Sequence, residues 1–267
     1  MGLVDWNAVW NGEIHLSRRA RLNSGRFWDE IAERDQGEDC FPDALTAEHL
    51  RRIGAQADET VLEIGPGMGR LTVPLARVAR AVTVIDPSAA MLRRLWARAD
   101  EAGLTNLRTV QGAWEDDEAR AEAGPHDVVV GSYSLFMLDM RAQLERMHRL
   151  AADRVCLFVP AEPRMPEAVE RILFGVVVSS RLPDHVLLFN LLHDLGIHAD
   201  VEVLTHPREK RFGSLEEAVD EQLRFHDAPE ESREAFAEYV EPKLQRRDGA
   251  FVLARPVKTG VLRWRVA

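Results

Sequence analysis

The sequence predicts an α/β fold, a three-layer sandwich in which a mostly parallel β-sheet lies between two layers of helices. Two patterns between about residues 58 and 160 lead to this fold class. Short β-branched runs alternate with longer amphipathic stretches, and their lengths are those of strand–helix–strand units. The short runs are continuously apolar, as in strands that are buried on both faces of a parallel sheet. Right-handed connections then place helices on both sides of that sheet.

The central region contains five predicted strands and three clear helices. The strands are predicted over 60–64, 81–85, 107–110, 126–130 and 154–159, and the helices over 70–79, 88–102 and 139–150. Gly65 ends the first strand, and Asp86 with Pro87 ends the second. Ser88 is a suitable N-cap for the helix that follows the second strand. Strand and helix thus alternate through the whole region.

Helical segments are predicted on both sides of this core. Residues 1–56 are predicted to form an N-terminal helical lid or extension, and residues 57–267 the main domain, with its core over 58–160. In the C-terminal part, 161–267, helices are predicted over 186–195, 214–225 and 231–245, and strands over 199–204, 251–255 and 261–266. Ser214 and Glu217 match the capping-box pattern of a helix start. The tail is predicted to complete the sheet and to place helical cap elements over its carboxyl edge.

The composition indicates an acidic protein without a membrane segment. The formal net charge is −10, and an acidic protein repels polyanions unless its basic residues cluster, so a small-molecule substrate is predicted and a nucleic-acid partner is disfavoured. No run of about 18 apolar residues predicts a membrane span, and no secretory signal is visible. Cys40 and Cys156 match neither a disulfide framework nor a metal-ligand cluster. A cytoplasmic protein without a metal site is therefore predicted, and no pattern indicates its oligomeric state.

A glycine-rich loop carries the strongest functional signal. It runs from Glu63 to Arg70 with the sequence Glu-Ile-Gly-Pro-Gly-Met-Gly-Arg, between a predicted strand and a predicted helix. Glycines allow a tight turn and a close approach of the backbone to a ligand, and the N-terminus of the next helix favours an anionic group. Asp86 ends the neighbouring strand, where its carboxylate can accept hydrogen bonds from two ribose hydroxyls. The two features together predict a nucleotide-containing cofactor.

Two classes of cofactor fit a glycine loop that is followed by an acidic strand end. A dinucleotide site needs the pattern G-x-G-x-x-G, but Arg70 occupies the position of the third glycine, where a side chain would impede helix–strand packing. The spacing of Gly65, Gly67 and Gly69, with Glu63 just before them, instead resembles motif I of class I S-adenosylmethionine-dependent methyltransferases. A nicotinamide-dependent oxidoreductase is the disfavoured alternative.

The resemblance to this family extends over residues 58–160. Asp86-Pro87-Ser88, followed by Met91, resembles the ribose-binding segment of the family, and residues 111–116 follow the third strand, where family members hold adenine. Residues 127–134 resemble the strand and loop beside the reactive methyl group. The resemblance implies a Rossmann-like, seven-stranded sheet, with S-adenosylmethionine as the cofactor and S-adenosylhomocysteine as its product.

The resemblance also implies a role for each residue of the site. The predicted cofactor-binding residues are Glu63, Gly65, Pro66, Gly67, Gly69, Asp86, Pro87, Met91, Gly112, Ala113, Trp114, Glu115, Gly131 and Ser132. The glycine loop would pass under the methionine portion, Asp86 would hold the ribose, and Ser132 would lie near the sulfonium. Ala113 and Trp114 would border adenine, and Glu115 or Asp116 would accept its amino hydrogen. Three alternatives stay open: Glu63 as an anchor of the loop, Trp114 as a core residue, and the two acids as a solvated helix start.

Aromatic residues are the candidates for the substrate side of the site. Trp28, Tyr133 and Phe136 are predicted to contact the substrate, and the N-terminal aromatic segment and the tail helices to cover the site. The alternative is that Trp6, Trp10, Phe27 and Trp28 only pack the first helices onto the core. No histidine stands out as a general base, since His126 is predicted to be structural and His148 to lie on the surface. The catalytic residues therefore stay unidentified.

The predicted function is methyl transfer from S-adenosylmethionine to an unidentified small-molecule acceptor. The loop also resembles motif I of ribosomal RNA adenine dimethyltransferases, but those enzymes carry an Asn-Leu-Pro-Tyr-type loop where this chain has Gly-Ser-Tyr-Ser at residues 131–134. RNA or protein methylation is one alternative. A regulatory module that binds S-adenosylmethionine without transferring its methyl group is another.

Overall fold

A computed structural model describes residues 4–17, 22–34, 43–163, 165–179 and 182–266. Its helices are α1 (Trp6–Leu16), α2 (Gly25–Arg34), α3 (Asp43–Ile53), α4 (Thr72–Ala76), α5 (Ala89–Glu101), α6 (Asp117–Ala123), α7 (Met140–Leu150), α8 (Glu167–Phe174), α9 (Asp184–Asp194), α10 (Leu215–His226) and α11 (Arg233–Val240). Its strands are β1 (Thr60–Ile64), β2 (Ala81–Asp86), β3 (Leu107–Gln111), β4 (His126–Ser132), β5 (Ala151–Pro160), β6 (Asp200–Phe212), β7 (Leu244–Arg247) and β8 (Ala250–Arg265). Cys40 lies outside the described residues.

One sheet contains all of these strands, in the order β3-β2-β1-β4-β5-β8-β6, with β7 paired to β8. The strands β1 to β5 are parallel, and β8 runs antiparallel between β5 and β6. The predicted mostly parallel sheet is confirmed. The parallel part places the carboxyl ends of β1, β2, β3 and β4 side by side at one edge, which is where ligands bind in open α/β sheets.

The described part of the chain forms a sheet of eight strands, so the predicted number of seven is wrong. The additional strand is β7, which occupies part of a segment predicted as helix over 231–245. The helix α11 ends at Val240, and Pro242 follows within a short 3-10 turn. Asp248 and Gly249 both have positive φ angles, 51° and 78°, and this backbone geometry suits a two-residue hairpin turn. The turn signal was recognised in the sequence, but the strand before it was not.

Helices cover both faces of the sheet and make three layers. Helices α1, α6, α7 and α9 pack on one face, where Trp10, Leu144 and Leu188 are fully buried. Helices α3, α4 and α5 pack on the other face, around residues such as Ile53, Leu75 and Leu95. The three-layer prediction is therefore confirmed. The first two helices pack on different parts of the protein: α1 packs on the first face, whereas α2 contacts α5.

The strands β6 and β8 are longer than the parallel strands and extend beyond the carboxyl edge of the sheet. The last residue of β5, Pro160, pairs with Thr259, so residues 250–258 of β8 extend past the carboxyl edge together with residues 205–212 of β6. Nine residues at about 3.4 Å each span about 30 Å. We call this extension, with β7, the β-arm (residues 205–212, 244–247 and 250–258).

Tail helices pack on the β-arm and form a cap with small hydrophobic cores of its own. One core joins α10 and α11 to the arm through Phe212, Ala218 and Val240. A second joins α8, α10 and α11 through Val169, Leu223 and Phe236. Within the described ranges, no helix is long and apolar enough to cross a membrane.

Candidate functional site

The glycine loop follows β1 directly and is shaped by three positive φ angles. Gly65, Gly67 and Gly69 have φ angles of +66°, +55° and +89°, which L side chains rarely adopt. A Cβ on Gly65 would lie 2.5 Å from Ser134 Cβ, and a Cβ on Gly69 would lie 2.3 Å from Leu95 Cδ1. Around Gly67, in contrast, a Cβ would meet no described atom within 4 Å. The outer glycines are therefore needed for packing within the protein, whereas Gly67 leaves open space above the loop.

Asp86 places a buried carboxylate beside this loop. It is the last residue of β2, and the pairing of Ile64 with Ile85 brings the ends of β1 and β2 together. The side chain is 5% exposed, and its Oδ1 accepts a hydrogen bond of 2.8 Å from the backbone N–H of Ser88. The backbone N–H of Gly67 also lowers the pKa of this carboxyl group, because it stabilises the ionised form. Burial raises the pKa of Asp86 to about 6, which leaves the carboxylate ionised at neutral pH.

Glu63 is buried below the loop and joins β1 to α4. Its side chain is 2% exposed, and its Oε2 accepts a hydrogen bond of 2.6 Å from Thr72 Oγ1. Burial raises the pKa of Glu63 to about 7, although the hydrogen bond from Thr72 and the charge of Arg70 act in the opposite direction. This geometry favours the interpretation of Glu63 as an anchor of the loop.

We expect Glu63→Gln to remove a pH dependence of stability. The pKa rises from 4.5 to about 7 on folding, so the folded state binds the proton more tightly, and this contribution to stability is lost as pH rises through that interval. The full loss corresponds to about 3 kcal/mol. Urea unfolding of both proteins at pH 4.5 and pH 8 should show the variant gaining stability relative to the wild type. A difference between the two proteins that is the same at both pH values would contradict the expectation.

The end of β3 supplies two buried polar atoms without partners. Trp114 is 3% exposed and belongs to the hydrophobic core. Its Nε1 and the Oε2 of Glu115 are buried and have no hydrogen-bond partner among the described residues. Asp116 instead accepts a hydrogen bond from its own turn, from the backbone N–H of Ala113 at 3.1 Å. Because buried polar groups are almost always paired, the first two atoms are candidates for ligand contacts and Asp116 is not. The Gly112 backbone N–H donates to the carbonyl oxygen of Asp86 at 3.1 Å.

The end of β4 lies on the other side of the glycine loop. Gly131 pairs with Ile64, so Ser132 lies beside Gly65. Ser132 Oγ accepts a hydrogen bond of 2.8 Å from Arg70 Nη2. Tyr133 has a positive φ of 55°, and its hydroxyl is hydrogen-bonded to Thr259 of β8.

Helix α2 lies over this edge of the sheet. A Cβ on Gly25 would lie 2.4 Å from the carbonyl oxygen of Pro87, so the helix start touches the turn after β2. Asp29 Oδ1 accepts hydrogen bonds from Ser88 Oγ at 2.7 Å and from the Ala90 backbone N–H at 2.9 Å. Trp28 and Ile31 of α2 pack around Ala32, Ala90 and Met91, together with Met68 of the glycine loop.

Further contacts of this segment reach the ends of β3 and β4. Asn23, just before α2, donates to Glu115 Oε1, and the ring centroids of Trp28 and Phe136 are 6.4 Å apart. The N-terminal aromatic residues were predicted either to cover the site or to pack the first helices onto the core, and each interpretation fits a different residue. Trp10 is fully buried in the core and donates to the Met137 carbonyl oxygen, whereas Trp28 lies at the site.

His49 is a site residue that the sequence analysis missed. Its Nδ1 lies 3.2 Å from Arg70 Nη2, and its ring stacks on Phe158 with centroids 3.9 Å apart. The side chain is fully buried. The sequence signal for His49 is its helical spacing. Leu45, His49 and Ile53 lie four residues apart on the buried face of α3, so a histidine occupies an otherwise apolar stripe.

The two histidines that the sequence analysis considered have structural partners. His126 Nε2 is hydrogen-bonded to Thr83 Oγ1 at 2.8 Å. His148 was predicted to lie on the surface, but it is half-buried and accepts a hydrogen bond from Trp264 Nε1. Within the described part of the chain, no three His, Cys, Asp or Glu residues are grouped so that they could hold a metal ion. Cys156 is buried and unpaired.

Comparisons with known proteins agree with this geometry. Residues 61–154 match the family model of a methyltransferase domain. An uncharacterized protein of Haemophilus influenzae is 30% identical over 168 residues, 61% of this chain and 60% of that protein. Ribosomal RNA small subunit methyltransferase A of Magnetococcus marinus is 32% identical over 119 residues, 41% of this chain and 43% of that protein. The chain thus spans less than two thirds of either curated relative.

A solved structure shares the fold over nearly the whole chain. The magnesium protoporphyrin IX methyltransferase of Synechocystis PCC 6803, solved with bound S-adenosylhomocysteine, has a TM-score of 0.52 and 14% sequence identity. The match covers 94% of this chain and 99% of that one. At this level of identity, the likeness supports the fold assignment alone.

Proposed function

The chain belongs to the class I, Rossmann-like methyltransferases, and from this premise we propose that it transfers a methyl group from S-adenosylmethionine to a small-molecule acceptor. The observation that carries the proposal is the position of Asp86, whose buried carboxylate lies beside a glycine loop with open space at Gly67. Such a pair suits a ligand that presents a ribose to the carboxylate and a further group to the loop.

The order of the strands supports this cofactor. From β3 to β4 the edge of the sheet presents Trp114 and Glu115, then Asp86, then the glycine loop and then Ser132. S-adenosylmethionine has its parts in a matching order, with adenine at one end, ribose next and the amino acid at the other end. Three strand spacings between β3 and β4 amount to about 14 Å, which is a suitable length for one extended ligand.

The unpartnered atoms at the end of β3 fit the adenine end of that ligand. Glu115 Oε2 is an acceptor for an amino hydrogen, and Trp114 Nε1 is a donor. A buried polar atom without a partner costs about 1–3 kcal/mol, so a base that pairs with both atoms would be bound favourably. We therefore keep Glu115, rather than Asp116, as the residue that accepts the adenine amino hydrogen.

In this proposal the protein contributes mainly by positioning. The bound cofactor would supply a methyl group on a sulfonium, which is already activated for displacement. Asp86 and the glycine loop would hold the nucleoside and the amino acid, and α2 with Trp28 would exclude water from the edge. Alignment of two reacting groups is worth about 7–11 kcal/mol in favourable cases. A general base is needed only when the acceptor must lose a proton.

A small molecule is the proposed acceptor because of charge and loop chemistry. The net charge of −10 disfavours a polyanion. The match to a ribosomal RNA methyltransferase makes RNA the second candidate. However, residues 131–134 lack the Asn and Pro of the loop that binds an amino-adenine in that family, and Ser132 is engaged by Arg70.

Calorimetric titration tests the cofactor first. We expect S-adenosylmethionine and S-adenosylhomocysteine to bind with micromolar affinity, and reduced nicotinamide dinucleotides not to bind. Binding of the dinucleotide alone would overturn the proposal. Transfer of a labelled methyl group to small-molecule extracts or to total RNA then separates the two acceptor classes, and the absence of transfer to any extract despite tight binding would favour the regulatory module.

A further inference from the structure

A second group of buried polar side chains lies on the opposite side of the glycine loop from Asp86. In the strand order, β5, β8 and β6 follow β4. His49 stacks on Phe158 of β5, and its ring centroid lies 5.9 Å from that of Tyr133. Thr259 of β8 is hydrogen-bonded to Tyr133 and also to His206 Nε2, at 3.0 Å. The proposed cofactor would extend from the end of β3 to Ser132 at the end of β4, so these groups lie where an acceptor would approach its methyl group.

Arg70 determines which nitrogen of His49 carries the hydrogen. A guanidinium only donates hydrogen bonds, so His49 Nδ1, at 3.2 Å from Arg70 Nη2, must be the acceptor. Burial, together with the charge of Arg70, lowers the pKa of His49 to about 2, and the ring is therefore neutral. A neutral imidazole whose Nδ1 accepts carries its hydrogen on Nε2. His49 is thus a hydrogen-bond donor and does not serve as a general base at neutral pH.

The Nε2–H of His49 has no partner among the described residues, and it is buried. The two ring nitrogens lie on opposite sides of the imidazole, so this N–H is directed away from Arg70 and the glycine loop. An unpaired buried donor is unfavourable unless a ligand pairs with it. Arg70 on the other side of the ring adds a fixed positive charge, and this charge attracts an anionic oxygen at the Nε2–H.

We propose that the Nε2–H of His49 binds a carboxylate oxygen of the methyl acceptor. The inference rests on the proposed function, because it assigns the β5 side of the site to the acceptor. The methyl acceptors would then be small molecules that carry a carboxylate. His49 acts as a binding and positioning residue here, and Arg70 acts through it by holding the ring in the donor tautomer.

The test uses the full chain loaded with S-adenosylhomocysteine and acetate as the probe. The loaded cofactor product would occupy the proposed site from β3 to β4, so acetate reports on the remaining subsite. We expect nitrogen-15 NMR to show a hydrogen on Nε2 and none on Nδ1 of His49 from pH 5 to pH 8. Acetate should shift the Nε2–H signal saturably, and methylammonium should not.

Three variants separate the proposed contact from a general disturbance of the fold. His49→Phe keeps a ring to stack on Phe158 but removes the donor, and acetate binding, followed by the Tyr133 amide signal, should weaken at least tenfold. His49→Gln keeps a side-chain N–H and should retain measurable binding. His126→Phe removes another buried histidine, which lies at the start of β4 at the opposite edge of the sheet, and should leave acetate affinity within about twofold of the wild type.

The outcomes that overturn the inference differ from those that overturn the proposed function. A hydrogen on Nδ1, no saturable response to acetate, or equal acetate affinity in wild type and His49→Phe would each refute the carboxylate subsite. Failure of the wild type to bind S-adenosylhomocysteine at the outset would refute the proposed function, and the subsite with it.

Discussion

Asp86→Ala is expected to lower the affinity for S-adenosylhomocysteine by at least about 100-fold. A hydrogen bond to a charged group contributes about 1.5–3 kcal/mol, and we propose that the carboxylate accepts two from a ribose. Loss of both corresponds to at least about 3 kcal/mol, which is about 100-fold or more in the dissociation constant. The side chain is already buried and oriented by the backbone N–H of Ser88, so little ordering opposes binding. Calorimetric titration of the purified variant measures the effect.

A matched control separates the binding defect from a folding defect. Asp127 lies at the start of β4, at the opposite edge of the sheet, and accepts hydrogen bonds from the backbone N–H and the hydroxyl of Thr60. Asp127→Ala should lower the free energy of unfolding while leaving the affinity of the folded protein unchanged. If Asp86→Ala binds within threefold of the wild type, the ribose assignment is wrong.

Gly67→Ala is expected to weaken cofactor binding strongly while lowering the stability of the protein only slightly. The left-handed φ of 55° costs an alanine about 1–2 kcal/mol, but its Cβ would meet no described atom within 4 Å. The melting temperature should therefore fall by only a few degrees. The same Cβ would project into the space proposed for the cofactor, and overpacking of about 1–3 kcal/mol corresponds to roughly 5- to 150-fold weaker binding.

Other glycines provide controls with the same backbone geometry. Gly103 has a φ of +66° and no described atom within 4 Å of an added Cβ, and it lies far from the loop in the turn after α5. Gly103→Ala should match the loss of stability of Gly67→Ala and bind normally. Gly65→Ala would place a Cβ only 2.5 Å from Ser134 Cβ, so its unfolding free energy should fall further. Equal binding by Gly67→Ala and Gly103→Ala would count against a ligand above the loop.

The central sheet and the cofactor side of the candidate site were predictable because their signals are local. The glycine loop follows one apolar run, and Asp86 follows the next. Parallel strands bring the carboxyl ends of such runs to one edge of the sheet. Mostly apolar runs such as 81–85 and 126–130 also predict where the buried strands lie. The same reasoning predicts either Glu115 or Asp116 through their place after the third strand, and Glu115 remains a proposal that rests on its unpartnered Oε2.

The remaining features depend on contacts between distant parts of the chain. His49 is joined to Arg70 and Phe158 only by the packing of α3 on the sheet, and Asp29 meets Ser88 across 59 residues. The strand β7 forms because β8 extends far enough to pair with it, and its own sequence, Leu-Gln-Arg-Arg, has no strand pattern. Local propensity carries no information about such pairings.

The continuity of β6 and β8 determines which part of the protein is free to open. Each strand runs without interruption from the sheet core into the β-arm, so a rotation of the cap would break ladder hydrogen bonds that the core itself uses. Helix α2, in contrast, meets the site through side-chain contacts and one capping carboxylate. We therefore expect α2 to detach when S-adenosylhomocysteine is replaced by S-adenosylmethionine, while the cap stays fixed. Amide hydrogen exchange should then be faster in α2 than in the β-arm. On this view the rate of turnover depends on a helix outside the matched methyltransferase domain.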